Sequence, residues 1–178
     1  MEKTVFLVVD VQTALINEGP CRREEVIKNI RSLIAAARER KIEIVYVRHD
    51  GGEGDELEKH SPGWEIYEDI APQGREMIFD KCYNSAFRRT GLHEYLQSKD
   101  IRKLILAGLQ TEYCIDATCK VAFELGYEII IPQGTVTTFD NDFCSGEDLT
   151  KYYEEKIWNH RFAEVLMAEK VFPEQLEG

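Results

Sequence analysis

Apolar and polar residues fall along this chain in short blocks whose period switches between that of strands and that of helices. Residues 4–9, TVFLVV, form a β-branched apolar run, the pattern of a central strand buried on both faces. Residues 23–40 place Val26, Ile30, Leu33, Ile34 and Ala37 at helical spacing, one apolar face for packing on a sheet. A second strand is expected over 42–47. Residues 48–74 then lose all period and carry glycines, Pro62, Pro72 and scattered acids; a loop of that length in a compact domain is usually functional. The patch from Met77 to Phe79 reads as a third strand, closed by Asp80 and Lys81.

Downstream the alternation continues. A short helix is expected over 92–97 with Thr90 as its cap, and a fourth strand over 103–107. A helix follows over 111–125, ended by Gly126, and then a fifth strand over 127–131. Ser145 with Asp148 three residues on resembles a capping box, which predicts a long helix through about Met167. Val171 and Phe172 read as a last short strand. No repeat, low-complexity tract or linker interrupts the pattern. It predicts a single α/β domain over 1–178, three-layered, with a doubly wound, mostly parallel sheet of about six strands.

Composition narrows the function classes. A formal net charge of −11 disfavours nucleic acid and anionic membrane as partners. No run reaches transmembrane length, and the start MEKTVFLVVD lacks the long apolar segment of a signal peptide. The five cysteines are odd in number and show no C-x-x-C spacing, which argues for reduced thiols in a cytoplasmic protein. The stretch after the first strand, DVQTALINEG, matches neither dinucleotide-binding nor phosphate-loop glycine spacing, so no cofactor is expected.

Candidate chemistry gathers at strand ends. The apolar run from Leu104 to Ala107 ends in Gly108, and Cys114 lies in the first turns of the helix that follows. Free backbone N–H groups and the helix dipole there favour a thiolate and can hold a developing oxyanion. Asp10 and Lys81 also close predicted strands, and in a parallel sheet the carboxyl ends share one edge. An aspartate can take the thiol proton and return it to a leaving amine; a lysine beside both can lower the thiol pKa and orient the carboxylate. Singly, Asp10 reads first as a solvated loop acid and Lys81 as a surface cation, while Cys114 is equally readable as a core residue.

Three blocks carry a family resemblance over nearly the whole chain: VVDVQ with Asp10, FDKCYNSAF with Lys81, and AGLQTEYCIDATCKVAFELGY with Cys114. Together they resemble the isochorismatase-like cysteine hydrolases, which include nicotinamidases, N-carbamoylsarcosine amidohydrolases and ureidoacrylate amidohydrolases. The resemblance implies a Rossmann-like isochorismatase-type fold and an Asp10–Lys81–Cys114 triad. It also implies a cis peptide at Leu109–Gln110 and an oxyanion hole built from the Gln110 and Cys114 amides. The implied reaction is cleavage of a small amide, carbamoyl or ureido C–N bond through a thioester on Cys114, in a homo-oligomer.

The substrate is not readable. Nicotinamidases carry an Asp-x-His metal pair after strand two and a later His; here the order is Arg48-His49-Asp50-Gly51 with His60 beyond, so no metal is expected. Gln12 belongs to the family's D-x-Q motif and is expected to orient neighbours of the triad. Trp64, Phe87 and Tyr113 are candidate pocket walls. Cys82, next to Lys81 on a strand, should point to the opposite face and be structural. Cys119, about 140° around the helix from Cys114, is not its redox partner. Glu112 reads as a helix-start acid, and no chemistry follows from His160. Two other functions compete with the amidase: vinyl ether hydrolysis, which needs no cysteine, and a catalytically silent thiol that senses oxidation.

Overall fold

The computed structural model describes residues 3–172; the chain ends beyond them belong to the expected 1–178 domain but lie outside the description. Seven strands form one sheet in the order β3-β2-β1-β4-β5-β7, with β6 paired to β4 beyond the end of β5. The strands are β1 (Thr4–Val9), β2 (Glu43–His49), β3 (Met77–Lys81), β4 (Lys103–Leu109), β5 (Glu128–Pro132), β6 (Val136–Thr137) and β7 (Glu164–Leu166). Every pairing is parallel. The chain runs outward from β1 through β2 to β3, then returns to start the other half at β4. The switch point therefore falls between β1 and β4, where open α/β sheets leave a crevice at the carboxyl ends.

Side-chain alternation divides the core in two. Val5, Leu7 and Val9 point to one face with Val45, Val47, Leu104 and Leu106. There they meet Leu92 and Leu96 of α3 (Leu92–Ser98) and Ile115, Cys119 and Ala122 of the helix through α4 (Asp116–Glu124). Phe6 and Val8 point to the other face with Ile44, Tyr46, Ile105 and Ala107. That layer is covered by α2 (Arg23–Glu39), whose Val26, Ile27, Ile30, Leu33, Ile34 and Ala37 form the expected stripe. Both faces of the central strands are thus dry, which explains their unbroken apolar sequence. Among the described residues no helix is long and apolar enough to cross a membrane.

Several local expectations change. The six-residue helix α1 (Thr13–Glu18) is additional, and so are strands β6 and β7; with the expected 171–172 strand absent, the sheet has seven strands. The helix predicted from Ser145 to Met167 stops far earlier. Gly146–Tyr152 is α5, a π-helical turn continues over Tyr153–Trp158, and the chain then turns back into edge strand β7. The expected strand at Val171–Phe172 is replaced by the end of a short helix, α6 (Ala168–Val171). Ser145 does cap α5, accepting from the Asp148 N–H at 3.1 Å. The Asp148 carboxylate takes the Ser145 hydroxyl at 2.8 Å and does not reach back to the main chain. Thr90 accepts the Leu92 N–H at 3.2 Å, although Gly91 occupies the cap position of α3.

The long loop after β2 is anchored to the segment that leaves β1. Gln12 bridges Ile66 in antiparallel fashion, and Thr13, Ala14 and Tyr67 make main-chain bonds across the same seam. Leu57, Trp64 and Ile70 are buried from within the loop. This seam sets the loop beside the carboxyl edge of the sheet.

Candidate active site

Three elements deliver the chemistry. Asp10 leaves β1 in the left-handed region at φ 54°, a conformation aspartate tolerates better than most residues, and its N–H donates to Val47 O at 2.9 Å. Lys81 ends β3. Cys114 lies in the π-helical turn Thr111–Ile115 that opens α4, the kind of helix defect found often at functional sites. In that turn the Gln110 carbonyl accepts from both Tyr113 and Ile115. The Leu109–Gln110 peptide bond is cis.

Gly108 makes the close approach possible. It pairs with Val9 at φ 127°, and a Cβ built there would lie 1.9 Å from Val9 O. Any side chain would force β4 away from β1 just below Asp10.

The side chains converge on one nitrogen. Lys81 Nζ is 2.7 Å from Asp10 Oδ2 and donates to Cys114 Sγ at 3.2 Å. Its third neighbour is His49 Nδ1 at 3.1 Å. Asp10 and Lys81 are 1% and 2% exposed, whereas Cys114 and His49 are partly open, so of the proposed triad the thiol is the member nearest solvent. Asp10 Oδ1 is buried without a hydrogen-bond partner. A carboxylate oxygen of Asp10, a ring nitrogen of His49 and Sγ of Cys114 all lie within 4.8 Å of one another, a spacing that suits a metal ion. The ammonium of Lys81 stands in contact with all three, so the cation these atoms surround is the lysine.

Burial pushes the Cys114 thiol up to about 12, with the Asp10 charge adding to the effect and Lys81 opposing it. Burial thus favours the thiol over the thiolate expected from the sequence. His49 is pushed down, first by burial and then by Lys81, so its ring is neutral. Because an ammonium only donates, His49 Nδ1 accepts and the ring proton sits on Nε2.

The isochorismatase domain model matches residues 4–169. The chain belongs to the isochorismatase family. It is 34% identical over 137 residues to a streptothricin hydrolase of Streptomyces noursei, covering 76% of this chain but 50% of that one. The chain thus spans about half the length of that relative. It is also 25% identical over 165 residues to the ureidoacrylate amidohydrolase RutB of Cronobacter sakazakii, covering 71% of each. A solved isochorismatase family protein superposes with a TM-score of 0.86 at 28% identity, covering 93% of this chain and 99% of that one. An isochorismatase from Pseudomonas putida shares the fold, with a TM-score of 0.89 at 24% identity over 94% and 89% of the two chains.

Around the converging group of this isochorismatase-family chain, the other predicted residues take distinct places. Gln12 is fully buried, and its amide clasps the main chain: Nε2 donates to His49 O and Trp64 O at 2.9 Å each, and Oε1 accepts His49 N–H at 2.8 Å. It orients neighbours of Lys81 and has no donor left for a ligand. Trp64 is 3% exposed under the Arg48 guanidinium, which lies 3.3 Å from its ring centre. Phe87 stacks on Tyr127 at 5.9 Å and lines a groove of about 770 Å³ with Cys82, His93, Val121 and Leu125. Tyr113 is 53% exposed. Neither Trp64 nor Tyr113 lines that groove.

All five cysteines are free. Cys82 is exposed in the Phe87 groove, a surface thiol and not the structural residue expected. Asp50 Oδ1 accepts Gly52 N–H at 3.0 Å in a local turn, and His60 packs edge-on against Trp64; neither joins the Lys81 cluster. His49 does. Sequence reasoning weighed it only as a metal ligand or a pocket or packing residue, and not as a neighbour of Lys81, because the second strand was expected to stop at Val47. Its signal was its level: β2 runs on to His49, whose register partner on β3 is Lys81.

Proposed function

We propose that the chain is a cysteine hydrolase that cleaves the C–N bond of a small amide, carbamoyl or ureido substrate. The observation that carries this reading is the single buried ammonium of Lys81 touching both the Asp10 carboxylate and the half-open Cys114 thiol. The names of two relatives, streptothricin hydrolase and ureidoacrylate amidohydrolase, support the same reaction class.

Because the resting group is a thiol, ionisation and attack are coupled. Asp10 takes the Sγ proton as Sγ bonds to the substrate carbonyl carbon, and the carbonyl electrons move onto oxygen. The main-chain N–H groups of Gln110 and Cys114 are the donors assigned to that oxyanion; one such donor is worth about 2.7–4 kcal/mol in the transition state. Asp10 then passes the proton to the nitrogen, the C–N bond breaks, and a thioester remains on Cys114. Asp10 next takes a proton from water as its oxygen bonds to the same carbon. The C–S bond breaks, Asp10 returns the proton to Sγ, and the acid leaves.

The redox-sensing alternative is disfavoured by the same thiol. Sensor cysteines are low in pKa, and Cys114 is pushed the other way. Vinyl ether hydrolysis would leave the Lys81–Cys114 contact without a task. The test is ammonia release across a panel of small primary amides, carbamoyl and ureido compounds. Release from one compound class that disappears in Cys114→Ala is expected; release that persists in Cys114→Ala overturns the scheme.

A further inference from the structure

The Lys81 side chain is fully buried, so its ammonium cannot turn to water for partners. An ammonium carries three donors, and three acceptors surround it: Asp10 Oδ2, Cys114 Sγ and His49 Nδ1. Each acceptor fixes where the other two protons point. If the His49 nitrogen is removed, one buried N–H is left open. The ammonium can then shift toward Asp10, its only charged partner, and away from the weakly accepting sulfur.

His49 is itself held with unusual care. It is the register partner of Lys81 across β2 and β3, which puts the two side chains on the same face of adjacent strands. The fully buried Gln12 amide grips both the N–H and the C=O of His49. Gln12 in turn ties this point to Trp64 in the long loop. The ring cannot act as a base through Nδ1, because that atom already accepts from Lys81.

We infer that His49 is a positioning residue of this site: its Nδ1 holds the Lys81 ammonium against the Cys114 sulfur, and Gln12 holds His49. The inference rests on Cys114 being the nucleophile, but it can be tested without any amide substrate. The probe is iodoacetamide. Its rate of alkylation at Cys114 in the intact chain is followed by peptide mass from about pH 7 to about pH 10, because alkylation reads the thiolate. Two nearly isosteric variants separate acceptor from shape. His49→Leu removes the acceptor and should slow alkylation at Cys114 by about tenfold, the effect of about one pKa unit, and move its pH dependence upward. His49→Asn keeps an acceptor near the Nδ1 position and should stay within about threefold of the parent.

A folded His49→Leu chain that alkylates like the parent would overturn the inference, as would a His49→Asn chain as slow as His49→Leu. If His49→Leu does not unfold cooperatively, the alkylation pH profile of His49→Asn decides alone: parent-like supports the role, alkaline-shifted refutes it. Failure of the amide panel with the alkylation pattern intact would strike the proposed reaction and leave the positioning role standing. An unchanged His49→Leu pattern in a chain that hydrolyses amides would do the reverse.

Discussion

Two cysteines five residues apart, on the π turn and on α4, sit in different surroundings. Both thiols are pushed up to about 12, and in both the largest cause is burial. Cys119 is fully enclosed on the sheet-facing side of α4, among the apolar residues that cover one face of the sheet. Cys114 stands at the rim, where Lys81 donates to its sulfur and the Asp10 carboxylate lies close by. What sets Cys114 apart for the proposed chemistry is its place at the rim and what the ends of β1 and β3 bring to its sulfur.

The largest effect should come from exchanging the two cysteines' fates. Cys114→Ala should lower amide hydrolysis by on the order of 10³-fold or more, because the proposed acyl intermediate forms on the sulfur that this change removes. Cys119→Ala should leave turnover within about threefold and instead cost about 1–3 kcal/mol of stability, read from urea unfolding. Comparable activity losses in both variants would erase the distinction.

Lys81→Met sharpens the comparison from the other side. It removes the cation near Cys114 and leaves Asp10 buried without its ion pair, a loss of about 3–5 kcal/mol by analogy with other buried pairs. Alkylation of Cys114 should slow by about tenfold or more, while Cys119 in the folded chain stays as inert as before.

The smallest effect concerns pH. Both thiols have folded-state values raised from 9.0 to about 12, so the unfolded chain loses these protons first. Their contribution to stability is fully present below pH 9.0 and is lost as the pH rises toward about 12. Urea midpoints should fall over that window, and less steeply in Cys119→Ala than in the parent. An equal slope in the two chains would contradict the burial argument for Cys119.

How much of this the sequence revealed varies with the kind of neighbour each residue has. β1, β2 and β4 were legible because both faces are dry, so their runs are apolar without interruption. The α2 stripe was legible because only one face is buried. Asp10 and Cys114 follow such runs and Lys81 a shorter, half-exposed apolar patch in edge strand β3, so the three could be brought together because parallel strands share an edge. His49 was hidden by polarity: Arg48 and His49 look like loop, yet they continue β2 for two more residues beside Asp80 and Lys81. The region after Ser145 misled for the opposite reason. Its cap and charges suit a long helix, but β7 is a three-residue edge strand with one neighbour, too short for an alternating pattern to register. The height of the Cys114 pKa was also beyond reach, since dipole and lysine can be guessed from sequence but the degree of enclosure cannot.

The most direct test of the central claim is to look for the bond itself. A compound turned over in the amide panel is mixed with the protein and quenched with acid, and the peptide carrying Cys114 is weighed. The account predicts an added mass equal to the substrate's acyl part after loss of its amine, on Cys114 and not on Cys119, and none in Cys114→Ala. Turnover that continues in Cys114→Ala, or an acyl group found on another residue, would contradict it.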